Sequence, residues 1–188
     1  MAAETLALSI GKVAAAAAGH ADIAAVRERL RDLVDAGLIE PLKNPGSGPG
    51  FRKLFEPSAA YVASVLQTLA ELRLPVGRSV LAELAAFEAG RAAALWLKDD
   101  NRPPEMWLST ADRGPDRLGG RSRYSVSMYE KKDDVLQAGA DVSIVLNLAR
   151  LFRVVDQRLA ALAAAKTAGR GIRRLPVAKS TKRKRAAA

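Results

Sequence analysis

The sequence of 188 residues contains no cysteine. That excludes disulfides, thiolate metal ligands and a cysteine nucleophile. Its one histidine, His20, leaves no histidine pair to share a metal or a proton. Aromatic residues make up only 5% of the chain, so any core must be built mainly from aliphatic side chains. No stretch of roughly 18 strongly apolar residues occurs, and a membrane-spanning helix is not expected. Glu4 is the first charge ahead of the alanine-rich run at 13–18, the lone Lys12 adjoins the run, and alanine is a weak membrane former, so it is not read as a secretion signal. No glycine-rich turn leads into Lys-Ser or Lys-Thr, which excludes a phosphate-binding loop of the nucleotide-hydrolase kind. The acidic pairs Asp99, Asp100 and Asp133, Asp134 lie in expected loops without a histidine to complete a catalytic set. No catalytic residue, cofactor or metal site is assigned, and an enzyme is not expected.

What is present is alanine, leucine and charge. Alanine fills much of a 49% hydrophobic fraction and favours helix. The fold class expected is mainly α with a small β component (α+β). The net charge of +10 is unevenly placed: residues 1–78 carry 9 basic against 8 acidic groups, 79–165 carry 12 against 12, and 166–188 carry 9 against none. The excess therefore belongs to the C-terminal tail, where it supplies salt-sensitive attraction to a polyanion but no sequence reading.

Along the chain, residues 6–18 read as a short helix closed by Gly19. Asp22 offers an N-cap for a second helix over 23–36, ended by Gly37. Ile23, Val26, Leu30, Leu33 and Val34 fall on one face of that helix, and Arg27, Glu28 and Arg31 fall on the opposite side. Leu38 and Ile39 read as one strand of a hairpin, residues 51–55 as the other, with prolines and glycines at 44–50 between them. Pro57 opens a third helix whose stripe is Tyr61, Val62, Val65, Leu66, Leu69 and Leu72, ended by Pro75.

Helix, short strand and glycine-rich hairpin with a basic-aromatic return is the order of parts of a winged helix-turn-helix. Five segments in sequence, at 8–14, 26–33, 35–41, 50–55 and 69–76, resemble the MerR family of transcription regulators over about residues 6–90. Arg31, Asp32 and Leu33 stand where that family usually has an arginine followed by two aromatics, and the turn at 19–23 is longer than usual. The resemblance implies a dimer that binds an inverted repeat in double-stranded DNA within a promoter and twists the duplex to tune RNA polymerase access. It also implies a cytoplasmic, nucleoid-associated protein.

Position assigns the contacts. Arg27 and Arg31, one turn apart on the open face, are placed to reach base edges or flanking phosphates in the major groove. Phe51, Arg52 and Lys53 sit on the expected wing, and Lys12 on the first helix is a candidate phosphate contact. Arg29 turns partly towards the body.

Beyond residue 78 the expectation is a linker helix, a small antiparallel sheet and a long dimerisation helix, 79–165, followed by a disordered basic tail, 166–188. Leu95-Trp96-Leu97, Met106-Trp107-Leu108 and the alternating run 124–129 read as three strands. The two tryptophans are expected to form the sheet's core, with a ligand pocket around them as the sharper alternative. In the helix expected over 141–165, Val145, Leu148, Phe152, Val155, Leu159 and Leu162 alternate three- and four-residue spacings, as a coiled-coil dimer seam does; packing on the chain's own domain gives the same stripe. Two other functions fit the composition: a non-specific architectural or phage-type DNA-packaging protein, and an RNA-binding protein.

Overall fold

The computed structural model describes residues 7–19, 21–42, 53–98, 102–112, 124–137 and 143–170. Within them the chain is mixed helix and sheet. Helix α1 (Ile10–Ala17) follows the two-residue strand β1 (Leu8–Ser9), and α2 (Ile23–Asp35) follows α1 after a tight turn. Strand β2 (Leu54–Phe55) leads into α3 (Ser58–Glu71), and then comes α4 (Val80–Lys98). Strands β3 (Trp107–Asp112) and β4 (Tyr124–Tyr129), the short helix α5 (Lys132–Gln137), strand β5 (Ser143–Asn147) and helix α6 (Leu148–Arg170) complete the order.

Two of these helix ends follow directly from the sequence. Asp22 caps α2, its carboxylate accepting from the Ala24 and Ala25 amides at 3.3 Å, so two of the orphan donors of the first turn are satisfied. At the other end Gly37 takes φ +75°. The Gly37 amide donates to the Val34 carbonyl and the Leu38 amide to the Leu33 carbonyl, the paired bonds that close a helix through a left-handed residue. That turn consumes Leu38 and Ile39. They are not a strand, contrary to the sequence expectation. Instead β2 pairs antiparallel with β1, Leu8 opposite Phe55 and Ser9 opposite Leu54, and one further bond ties the Leu42 amide to the Leu54 carbonyl at 2.7 Å.

Further expectations fail in the C-terminal half, where Asp133 and Asp134 lie in the first turn of α5 and not in a loop. Leu95, Trp96 and Leu97 are the last turn of α4 and not a strand. Leu81, Ala85, Ala89, Ala92 and Trp96 repeat at helical spacing and are all buried, so burial of that face carries the helix through a locally strand-like tripeptide. The sheet's third strand is β5, and β3 lies between β4 and β5, antiparallel to both. The long helix accordingly starts at Leu148, not at 141. Ile144 and Val145 are β-branched and suit a strand, and the Asn147 side chain accepts from the Arg150 amide at 2.9 Å, which caps α6 in place.

One hydrophobic cluster runs from Leu8 to Val155 and includes residues of α1, α2, α3, α4, the three-stranded sheet and α6. At its centre Phe152 meets Tyr61 edge-on with ring centroids 4.9 Å apart, and Trp96 at 5.8 Å. Leu148, Phe152 and Val155 are fully buried there. The expected dimer seam is thus corrected: Val145 lies on β5, those three side chains are covered by their own chain, and Leu159 packs half-buried against the same cluster, as its neighbour one turn on, Leu162, is half-buried too. Tryptophan pairing in the sheet is corrected as well. Trp96 belongs to the interhelical core, and Trp107, half-buried at the start of β3, stands apart from it with its indole near Glu105. Among the described residues, no helix is long and apolar enough to cross a membrane.

Candidate nucleic-acid interface

The geometry of α2 separates its side chains cleanly. Val26, Leu30 and Leu33 are buried, whereas Arg27 and Arg31 are exposed on the opposite face. Arg29, between them in sequence but on another side of the helix, reaches inward: its guanidinium donates to Gln67 Oε1 at 2.6 Å, and Gln67 in turn donates to Glu71. It is therefore a tether between α2 and α3, and the inward turn read from the sequence is observed.

The β1–β2 pairing draws the start of α1 and the residue before β2 to the same edge of α2. Ser9, Gly11, Arg27, Arg31, Asp35 and Lys53 line a groove of about 680 Å³ there. Three of the six residues singled out for contact, Arg27, Arg31 and Lys53, meet in this groove from two separated segments. Lys12 is half-buried on α1 and is not part of its lining. Phe51 and Arg52, the glycine-proline segment at 44–50, His20 and the basic run 171–188 lie outside the described residues.

The groove's charges are lightly held. Arg31 pairs with Glu28 one turn away, and Lys53 stands 3.9 Å from Asp35. All four side chains are largely exposed, and ion pairs of this kind contribute little, so their cations are free to exchange partners. Arg27 has no ion-pair partner among the described residues. Ser9, the N-cap of α1, makes no side-chain cap bond, so the unsatisfied amides of that helix start add donors at the same edge. Two guanidinium groups, an ammonium group and a helix start form an array suited to oxyanions such as phosphate.

The array is backed by the rest of the molecule. Gly19 takes φ +59° in the turn between α1 and α2. The Arg158 guanidinium, from α6, donates to the Ala16 carbonyl at 3.1 Å and the Gly19 carbonyl at 3.3 Å. Arg158 and Ser9 are contributors that spacing alone does not reveal. Ser9 carries a legible signal as a cap residue ahead of a helix, but Arg158 is far away in sequence and carries none.

A second group of polar contacts centres on Asp156 of α6. It accepts from Tyr61 Oη at 2.5 Å and Trp96 Nε1 at 3.1 Å, and it pairs with Arg102. Burial pushes the Tyr61 phenol well above its ordinary value, its bond to Asp156 and that carboxylate's charge push it further, and Arg102 opposes them. This group joins α3, α4 and α6 at the edge of the core, where Arg102 is exposed and Asp156 half-buried. A cleft of about 670 Å³ near the sheet is lined by Leu95, Lys98, Met106, Met128 and Lys131 among others, but by neither tryptophan.

The sequence matches no protein-family model and no curated protein.

Proposed function

We propose that the chain is a sequence-specific DNA-binding regulator of the MerR-like kind, with α1 and α2 as its helix-turn-helix and the basic-aromatic return that ends at β2 as its wing. In this reading α2 enters the major groove, Arg27 and Arg31 read base edges or the phosphates beside them, and Lys53 with the start of α1 holds the backbone. A dimer on an inverted repeat, regulation through RNA polymerase and a place on the nucleoid complete the proposal. The observation that supports it best is the convergence of Arg27, Arg31 and Lys53 at one groove. The N-terminal half is almost neutral overall, so this clustering is placement and not bulk charge.

Selection of bound duplexes from a random pool tests the reading, scored as the ratio of selected to random-sequence affinity at matched salt. A recovered motif with two half-sites supports a regulator. Arg31→Ala is expected to reduce discrimination among sequences by about 1–3 kcal/mol. Removal of 166–188 is expected to weaken all sequences alike and flatten the salt dependence. A ratio near one, with all affinity residing in the tail, would instead identify the architectural or packaging protein.

A further inference from the structure

Ile23 is the one large apolar side chain exposed among the described residues of α1, α2 and α3, at 50%. The sequence wheel groups it with Val26, Leu30 and Leu33, which are each 2% exposed, but Ile23 is no part of the core they join. Its place at the start of α2 is the reason. Cβ bonds tilt towards a helix N-terminus, so a side chain in the first turn extends past the last neighbour that could cover it. Nothing in α2 itself requires isoleucine there. Asp22 supplies the cap, alanine favours helix more than isoleucine does, and the macrodipole favours a carboxylate in the first turn. That turn reads Ile23, Ala24, Ala25 and carries no acidic residue.

Ile23, Arg27 and Arg31 follow one another at intervals of four, which sets them in one row along the helix. The row thus puts an apolar group ahead of the two guanidinium groups assigned to base edges. The acidic groups nearby are engaged or turned away. Asp22 accepts from the Ala24 and Ala25 amides, Glu28 pairs with Arg31, Asp35 stands by Lys53, and Glu71 accepts from Gln67. Glu28 and the exposed Asp32 lie about 140° and 180° round the helix from Ile23. We infer that Ile23 reads a thymine, its side chain packing against the C5-methyl group that this base presents in the major groove. A methyl contact adds a position that hydrogen bonding by Arg27 and Arg31 does not read. Four residues rise about 6 Å along the helix, and base pairs stack about 3.4 Å apart. The thymine is therefore expected within two base pairs of the position that depends on Arg27. Ala24, exposed beside Ile23, is small enough to let the helix end approach base edges closely.

This contact rests on the reading of α2 as the helix in the major groove, and it is tested with the full chain on the duplex recovered by selection. Replacing each thymine of a half-site in turn by uracil removes only the methyl group and leaves every hydrogen-bonding edge, and the protein, unchanged. One such exchange, within two base pairs of the position whose preference Arg27→Ala relaxes, is expected to weaken binding about threefold to tenfold. Ile23→Ala is expected to weaken binding to the thymine duplex by a similar factor and to bind the thymine and uracil duplexes alike, with an unchanged circular dichroism spectrum. Ile23→Val, which keeps a branched apolar tip, is expected to retain most of the preference for thymine. Uracil tolerated at every position overturns the inference. So does an Ile23→Ala variant that binds both duplexes more weakly but keeps the thymine-to-uracil ratio, since that is what a merely structural role would give. In either case a recovered motif leaves the DNA-binding reading standing. If selection recovers no motif, the reading and the thymine contact fall together.

Discussion

Helices α4 and α6 carry the same kind of apolar repeat and use it in opposite directions. In α6 the repeat that begins at Leu148 is turned inward onto Tyr61 and Trp96. In α4 the buried face is mostly alanine, and a second repeat, through Phe87, stands in solvent. Spacing states that a face needs covering; it does not state whether the cover is the chain itself or another molecule. That depends on which helix sits between neighbours, and α6 is held there by Arg158 on the α1–α2 turn and by Asp156 on α3 and α4.

The contrast has consequences that can be measured, the largest in the core. Phe152→Ala is expected to remove about 3–5 kcal/mol of stability, read by urea denaturation, because a fully buried ring leaves a cavity between α3 and α4. The matching change on the open face, Phe87→Ala, is expected to alter monomer stability by no more than about 0.5 kcal/mol. If Phe152→Ala instead changed only the state of association, the assignment of the two faces would be reversed.

Asp156→Ala removes the acceptor of two donors, Tyr61 and Trp96, and the partner of Arg102. The expected loss is about 2–4 kcal/mol, since each part-buried donor left without a partner costs about 1–3 kcal/mol. A loss near zero would mean that α6 is not anchored through this carboxylate.

A further expected effect depends on pH. The Tyr61 phenol is raised above its ordinary value of about 10, so its contribution is fully present below that value. As pH rises further, the unfolded chain releases the proton first, and stability falls by up to about 1.4 kcal/mol per pH unit until the raised value is reached. Tyr61→Phe is expected to flatten this alkaline decline while costing about 1 kcal/mol at neutral pH. An unchanged alkaline limb would sink the assignment.

Local chemistry made the first half of the fold legible. Asp22 and Gly37 are punctuation that acts within one turn of its position, and the stripe from Tyr61 to Leu69 is long enough to outweigh noise. Strand β4 was visible through alternation, and β3 only through its start, since Met106, Trp107 and Leu108 read as a strand but the rest of Trp107–Asp112 did not. What sequence reading missed depends on partners far along the chain. Strand β1 is two residues long and exists only because Leu54 and Phe55 return to it. Leu95, Trp96 and Leu97 have strand-like character, but the buried face of α4 overrides it. The start of α6 was readable in principle, since β-branched residues give way to asparagine before Leu148, but the continuing apolar spacing concealed the change. For the candidate interface, the exposure of Arg27 and Arg31 followed from the helical wheel. The company they keep, Ser9 and Lys53, did not, because it requires the β1–β2 closure.

Strand β5 passes into α6 without an intervening loop: Asn147 ends one and Leu148 begins the other. Ten residues further on, about 15 Å along the helix axis, Arg158 grips the turn that carries α2. Sheet and turn are thus mounted at two points on a single stiff strut. With no slack segment between them, a displacement of β5 is expected to tilt the base of α2, measurable as a change in α2 amide exchange when β5 is perturbed.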